Sequence, residues 1–179
     1  MRRSLTLALI PIAAIASVYA LVHYVKPDGF SFAWALNFLL MLCVFAFTEA
    51  LKSQLTSPYY NEKEWEQRGK IYEQLGINAF RKLLVWTGWE KLNRKANPVE
   101  KDTNALMNLH YQTKKAELGH AIVLLIVLGF NVFVAFKFGV LKSMWLLILN
   151  VLLNLYPIFL QRYNRPRIAR AINLSKRRY

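Results

Sequence analysis

Glu117 and His120 are the side chains of this sequence whose types and spacing are best suited to chemistry. They stand three positions apart on a predicted helix, so they lie on one face together with His110 and Thr113, and Thr113 is predicted to bind the substrate. A carboxylate and an imidazole next to hydrocarbon are costly unless they are paired, and a paired imidazole can accept a proton from a hydroxyl group. The spacing therefore predicts an acid–base pair in which His120 is the base, oriented by Glu117 or by the next apolar segment. The alternative is a hydrogen bond that only closes a helical bundle.

The same Glu-x-x-His spacing is half of the pattern that binds two metal ions in helical bundles. The second half is missing, because Glu49 is the only other carboxylate that stands at the edge of an apolar run. We therefore predict no metal site and no tightly bound cofactor.

A cluster of arginines follows the last apolar run, in the stretch QRYNRPR at positions 161–167. Guanidinium groups match the oxygens of a phosphate or an oxyanion bidentately, so this stretch is predicted to bind a substrate. Pro166 discourages a helix, and Asn164 is expected to shape a turn and to contribute to the same site. The arginines predicted to bind substrate are Arg162, Arg165 and Arg167. The alternative is an anchor to anionic lipid, which suits the basic residues after position 175 best.

The stretch from Asn61 to Gly76 is predicted to form one helix. Asn61 can cap its first turn, with an acidic residue three positions later, and Gly76 is a natural stop. At 100° per residue, one face carries Trp65, Arg68, Gly69 and Tyr72. We predict that this face helps to bind an anionic substrate through Arg68, with Trp65 and Tyr72 beside it. The alternative is an Arg68 side chain that only extends past Trp65 to water.

Four apolar runs are long enough to cross a bilayer, which takes roughly 17 to 25 residues. The predicted spans lie at about 5–25, 30–50, 121–136 and 144–160. The first has a rival interpretation as a cleaved signal peptide, but its apolar run continues past the possible cleavage point at Ala20. Helices at about 54–116, partly in the membrane interface, connect spans two and three, and a long helix from near Thr103 enters span three. The predicted fold class is an all-α membrane protein, with residues 1–179 as a single membrane domain and a basic tail at 161–179.

Polar residues also follow helical spacing inside spans three and four, at Asn131, Asn150 and Asn154. Because lipid does not accept such groups, the two spans are expected to face one another. The simplest interpretation is that these asparagines form hydrogen bonds between helices. Pro157 is expected to kink span four.

The net charge of +14 is concentrated beside the spans. Of the 24 Lys and Arg residues, 21 fall on one side of the predicted topology, in the N-terminus, the middle segment and the C-terminal tail. The positive-inside rule places this side, and with it both termini, in the cytoplasm at the cell membrane. Charge next to membrane spans favours anionic lipid headgroups or a phosphorylated substrate as the partner, and not nucleic acid.

Three stretches of the chain resemble a known family, the glycosyl-diaponeurosporenoate acyltransferases, which are small multi-pass membrane proteins that acylate the sugar of carotenoid glycolipids. The stretches are EWEQRGKIYEQLGI, AELGH and QRYNRPR, and the resemblance covers roughly residues 59–170. It implies an acyltransferase of carotenoid biosynthesis. The chain departs from the family pattern at Gln112, at Ala121 and at Leu83–Val85, which leaves the lipid acceptor open.

The residues and the resemblance together predict an integral membrane acyltransferase that moves a fatty acyl group onto a hydroxyl of a membrane glycolipid or related lipid. Its co-substrate would be an acyl-CoA or an acyl carrier thioester, with the acyl chain between spans three and four. Its partners would be the acyl acceptor, the acyl donor and the surrounding membrane lipids. Two alternatives use the same basic surface: a lipid methyltransferase or reductase with a soluble cofactor, and a non-enzymatic partner of a lipid-modifying complex. No Gly-rich phosphate loop supports the methyltransferase or reductase, and no feature of the sequence specifies an oligomeric state.

Overall fold

The computed structural model describes residues 2–91 and 102–177, and of Arg2 only the backbone. Within this part of the chain the structure is helical and contains no strand. The α-helices used below are α1 (Arg2–Tyr24), α2 (Phe30–Leu51), α3 (Lys70–Gln74), α4 (Ile77–Trp86), α5 (Thr103–Phe138), α6 (Val140–Asn150) and α7 (Tyr156–Lys176). Two 3₁₀ turns, Pro58–Tyr60 and Glu64–Gly69, precede α3, and a π-helical turn, Val151–Leu155, joins α6 to α7.

Four helical segments of the described chain are long and apolar enough to cross a membrane. They are Arg3–Tyr24, Phe30–Leu51, Thr103–Phe138 and Val140–Lys176, and their most apolar windows have mean hydropathies between 1.8 and 2.5. The predicted all-α membrane fold with four transmembrane helices is thereby confirmed. The long helix that was expected to begin near Thr103 and enter span three is confirmed as well.

The described residues form two compact units. The first unit consists of the chain up to Gln54 together with Leu118–Pro157, and the second consists of Leu55–Glu117 together with the chain from Ile158 onward. The first unit therefore contains α1, α2, α6 and most of the apolar part of α5. The second contains the middle segment, the polar start of α5 and nearly all of α7.

The core of the first unit is built from apolar side chains at helical spacing. Phe32, Leu36 and Leu40 recur every four residues along α2 and are buried against residues of α5 and α6. Burial of such a side chain stabilises a fold by about 1.5–3 kcal/mol where the alternative is water. Side chains on α1 such as Ile12 and Ile15 are instead largely exposed, as expected of a helix that is surrounded by lipid.

The prediction of one continuous helix between Asn61 and Gly76 is wrong. Glu64–Gly69 is a 3₁₀ turn whose cap is Lys63, and the backbone is left-handed at Gln67 (φ 48°), Arg68 (φ 58°) and Gly69 (φ 87°). The Trp65 and Tyr72 rings still lie edge to face, with centroids 6.4 Å apart, but Trp65 is 60% exposed and Tyr72 is 1% exposed. The predicted stop at Gly76 is confirmed, because this residue has φ 83° and separates α3 from α4.

The break coincides with a close approach of α7. A Cβ atom added to Gly69 would lie 3.1 Å from the carbonyl oxygen of Tyr163 and 3.2 Å from the guanidinium of Arg167. Such a contact is tighter than ordinary packing, and the left-handed backbone is itself natural only for glycine. Each of the two non-glycine residues held in this region, Gln67 and Arg68, costs about 1–3 kcal/mol of backbone strain.

The prediction that Pro166 and Asn164 end the last helix in a turn is also wrong. Helix α7 continues through Pro166 to Lys176, beyond the predicted limit of span four at position 160. Proline inside a helix costs about 3 kcal/mol, because it lacks an N–H and crowds the carbonyl four residues earlier. Ion pairs of neighbouring arginines, described below, hold this part of α7 in place. Near the end of the helix, the hydroxyl groups of Ser175 and Thr103 lie 2.6 Å apart in a hydrogen bond.

Candidate active site

A chain of asparagines in the first unit leads to His120. Asn154, in the π-helical turn, donates both hydrogens of its amide, to Asn37 Oδ1 at 2.7 Å and to Asn150 Oδ1 at 2.9 Å. Its Oδ1 atom lies 3.4 Å from His120 Nδ1. Asn37 and Asn154 have no exposed surface, and Asn150 is 1% exposed, so these amides satisfy one another away from solvent.

Two backbone carbonyls determine the direction of every hydrogen bond among these asparagines. Asn37 donates from Nδ2 to Ala33 O at 2.8 Å, and Asn150 donates from Nδ2 to Leu124 O at 3.0 Å. A carbonyl only accepts, so both of these residues must present their own amide oxygen to Asn154. Asn154 must then present its amide nitrogen to them and its oxygen to His120.

The orientation of Asn154 fixes the tautomer of neutral His120. Because Asn154 Oδ1 is an acceptor, Nδ1 of His120 must carry the hydrogen, and Nε2 holds the free lone pair. The π-helical turn Val151–Leu155 thus brings Asn154 to the histidine.

Contacts between α5 and α6 confirm that spans three and four face one another. Asn131 donates from Nδ2 to Ser143 O at 2.8 Å, in addition to the bond from Asn150 to Leu124. The predicted role of the asparagines as interhelical hydrogen-bonding groups is therefore confirmed.

Glu117 lies in the second unit and is the centre of a buried ion-pair network. Its Oε1 accepts a hydrogen bond from Arg162 Nε at 2.6 Å, and its Oε2 accepts one from Nη2 of Arg165. The side chain of Glu117 has no exposed surface, and those of the two arginines are 9% and 8% exposed. Glu117 and His120 thus have separate partners: arginines for the carboxylate, and an asparagine of span four for the imidazole.

The other nitrogens of the two guanidinium groups also bond protein groups. Arg162 reaches Glu66 Oε1 and Tyr59 O, each at 3.0 Å. Arg165 donates to Thr113 Oγ1 at 3.2 Å and to Tyr60 O at 3.1 Å. Two guanidinium charges therefore face two carboxylates.

Glu66 completes this network from the 3₁₀ turn. The Tyr72 hydroxyl donates to Glu66 Oε1 at 2.5 Å, and the Lys63 backbone N–H donates to Oε2 at 2.7 Å. Burial alone would raise the pKa of the Glu66 carboxyl, but these bonds and that of Arg162 outweigh it and lower the pKa. Burial, together with the bond to Glu66, raises the pKa of the Tyr72 hydroxyl.

A separate cavity of about 490 Å³ in the second unit is lined by basic side chains. Arg68 and Lys70 contribute from the left-handed segment and the start of α3, and Arg167 and Arg170 contribute from α7. The complete lining is Gln67, Arg68, Lys70, Glu73, Pro166, Arg167 and Arg170. Arg167 donates to Glu73 at 3.1 Å and stacks on the Tyr163 ring, with its guanidinium carbon 3.5 Å from the ring centroid.

The structure sorts the predicted substrate-binding residues into three groups. Those in the buried network are Arg162, Arg165, Thr113 and Tyr72. Arg68 and Arg167 line the basic cavity. Trp65 is exposed and Asn164 is partly buried.

Sequence reasoning missed several members of these sets, among them Asn37, Glu66, Lys70 and Arg170. Glu66 is not among the residues of the predicted helical face, and it is 4% exposed. Asn37 was detectable only as the one strongly polar side chain in the middle of span two.

Among the described residues, no group of three or more His, Cys, Asp or Glu side chains is arranged to hold a metal ion.

Comparison with known proteins adds the family. The family model that describes glycosyl-4,4'-diaponeurosporenoate acyltransferase (CrtO) matches residues 56–174, about two thirds of the chain. The chain belongs to this family. The glycosyl-4,4'-diaponeurosporenoate acyltransferase match includes all three stretches on which the resemblance was based, and it indicates a transferase of carotenoid biosynthesis. With four candidate transmembrane helices, this member of the family is a multi-pass membrane protein. Comparisons with curated proteins and with solved structures found no match.

Proposed function

We propose that the protein transfers a fatty acyl group from a thioester donor to a sugar hydroxyl of a carotenoid glycolipid, with His120 as the general base. The observation that carries the proposal is the asparagine chain, because it leaves the free lone pair on His120 Nε2. Family membership supplies the reaction class. The lipid acceptor is a glycosyl-4,4'-diaponeurosporenoate or a related glycolipid.

The reaction follows from the chemistry of the imidazole. Nε2 takes the proton of the acceptor hydroxyl as its oxygen attacks the thioester carbonyl carbon, and a tetrahedral intermediate forms. The C–S bond then breaks, and the imidazolium returns the proton to the departing sulfur. While His120 is positively charged, its Nδ1–H still donates to Asn154 Oδ1, whose partial negative charge stabilises the imidazolium.

Glu117 has a supporting role in this proposal. It holds α5 and α7 together through Arg162 and Arg165, and it does not act on the substrate. Because those arginines already face carboxylates, the donor's phosphates are assigned to other basic residues.

The active site belongs to the cytoplasmic side of the cell membrane in this proposal. The charge distribution supports that orientation, with 21 of the 24 basic residues on one side of the four-span topology and both termini on the same side. The soluble acyl-CoA or acyl carrier thioester is made available on that side.

Initial rates of ester formation in isolated membranes test the proposal. Membranes that contain His120→Ala should form no acylated glycolipid, whereas His23→Ala, which removes an exposed histidine of α1, should keep the wild-type rate. His110→Ala is a further variant, because His110 is partly buried beside Arg162 and Arg165 in a second cavity of about 170 Å³. If His120→Ala forms the ester at the wild-type rate, or if only His110→Ala loses ester formation, His120 is not the general base.

Asn37→Leu tests the orientation of His120 without removing the imidazole. The substitution frees one amide hydrogen of Asn154, so kcat should fall about tenfold or more while KM for the acceptor stays unchanged. Asn131→Leu removes another partly buried asparagine of the same unit and should keep kcat, since Asn131 bonds the carbonyl of Ser143 and does not belong to the group of asparagines that leads to His120. Equal values of kcat for the two variants would show that the hydrogen-bonded asparagines do not position His120.

A further inference from the structure

The basic cavity of the second unit has the properties of a phosphate-binding site. Its lining carries Arg68, Lys70, Arg167 and Arg170 against one carboxylate, that of Glu73. Within the described residues, Glu73 forms its ion pair with Arg167. In the described part of the chain, Arg68, Lys70 and Arg170 have no carboxylate partner, so three positive charges of the lining are not neutralised by the protein.

These cations differ from the arginines of the buried network. Arg162 and Arg165 are almost inaccessible and use their donors on protein oxygens, whereas Arg68, Lys70 and Arg170 are exposed. Guanidinium groups bind phosphate oxygens through paired hydrogen bonds, and an ammonium group adds a compact charge.

The backbone at the rim of the cavity also indicates a built site. Gln67 and Arg68 are left-handed residues that are not glycine, and both line the cavity. Backbone strain of this kind persists where the surrounding structure imposes it, and it clusters at ligand-binding positions. Directly after them, Gly69 packs closely against the Tyr163 backbone, so this segment is held against α7.

The volume of about 490 Å³ lies in the range of small-molecule sites and exceeds what a single phosphate needs. The nucleotide end of coenzyme A combines several phosphate groups with a base and a ribose, and it matches both the charge and the size of the cavity. We propose that this cavity binds the phosphate-bearing nucleotide end of an acyl-CoA donor. The inference rests on the acyltransferase function, for which it names the donor and its binding residues.

Calorimetric titration of the purified full-length protein in detergent with CoA tests the proposal. Wild type should bind CoA with an affinity that falls as salt is added, because the contacts are ionic and accessible to solvent. The double variant Arg68→Gln/Arg170→Gln should bind at least about tenfold more weakly, since two charged hydrogen-bonding groups are lost. Neither substitution strands a buried carboxylate, so the variant should fold. Wild-type affinity in this variant, or no binding of CoA to wild type, would overturn the proposal.

Two further measurements test whether the position of the lost charge matters and whether the ligand is CoA or a lipid headgroup. Lys82→Gln/Lys91→Gln removes the same charge from exposed positions outside the cavity and should leave CoA affinity nearly unchanged. A short-chain phosphatidylglycerol serves as the second ligand. If Arg68→Gln/Arg170→Gln weakens binding of this lipid but not of CoA, the cavity is a lipid headgroup site and the proposal fails.

A negative titration and a negative acyltransferase assay refute different claims. Membranes that form the ester while CoA does not bind would refute the cavity inference and leave acyl transfer standing. CoA binding that depends on Arg68 and Arg170, in a protein that forms no ester, would refute acyl transfer and leave the cavity as a CoA site.

Discussion

Glu117→Gln removes the charge that Arg162 and Arg165 share and leaves the shape of the side chain almost unchanged. After the substitution, two buried guanidinium groups face one carboxylate, that of Glu66. Breaking a buried ion pair by removal of one partner costs about 3–5 kcal/mol, because the other charge remains buried without compensation. For a chain of this length, 1 kcal/mol corresponds to about 2–4 °C in Tm, so the midpoint should fall by about 6–20 °C.

Thermal unfolding of the detergent-purified protein, followed by tryptophan fluorescence, measures this shift. Glu73→Gln is the matched control, because Glu73 also forms an ion pair with an arginine, Arg167 at 3.1 Å, but both side chains are 41% exposed. An exposed pair contributes about 0–1 kcal/mol, so the control should lose no more than about 4 °C.

A double-mutant cycle then separates the ion pair from general disruption. Glu117→Gln combined with Arg165→Gln should cost less than the two single substitutions added together, by at least about 1 kcal/mol. If Glu117→Gln and Glu73→Gln have the same midpoint and the cycle is additive, the ion pairs of Glu117 do not stabilise the fold more than an exposed pair does.

Two further predictions concern the second unit. Gly69→Ala should lower Tm by several degrees more than Gly88→Ala. Both glycines have positive φ, but a Cβ at Gly69 would lie 3.1 Å from Tyr163 O, whereas nothing lies within 4 Å of a Cβ at Gly88. Equal shifts in Tm would mean that the approach of α7 does not require glycine at position 69. The lowered pKa of Glu66 stabilises the fold above its unfolded value of about 4.5, and this contribution is lost as the pH falls through the folded value. Between about pH 5 and pH 3 the Tm of wild type should therefore fall more steeply than that of Glu66→Gln, and parallel curves would contradict the lowered pKa.

The parts of the fold that follow from local pattern were predicted from the sequence. Four apolar runs gave four transmembrane helices, Gly76 gave a helix end, and the uninterrupted stretch after Thr103 gave one long helix. Each of these depends on residues within a few turns of one another. The face shared by Thr113 and Glu117 was predicted for the same reason, and both side chains contact Arg165.

The errors come from contacts between residues far apart in the chain. The break at Gly69 lies where the backbone of Tyr163 approaches, and nothing near Gly69 in the sequence signals that approach. The helix continues through Pro166 because distant carboxylates hold the neighbouring arginines. The pairing of Asn37 with Asn154 joins positions 117 residues apart, and a single asparagine in an apolar run has no periodic pattern that would identify its partner.

Acyl transfer by the purified protein alone, in lipid vesicles, tests the central claim most directly. The vesicles would contain glycosyl-4,4'-diaponeurosporenoate and receive an isotope-labelled acyl-CoA, and mass spectrometry would follow the label. We predict that wild type forms the labelled ester and that His120→Ala, folded to the same Tm, forms none. An ester that appears at the wild-type rate with His120→Ala, or with wild type only when other membrane proteins are added, would contradict the claim that His120 of this chain is the base.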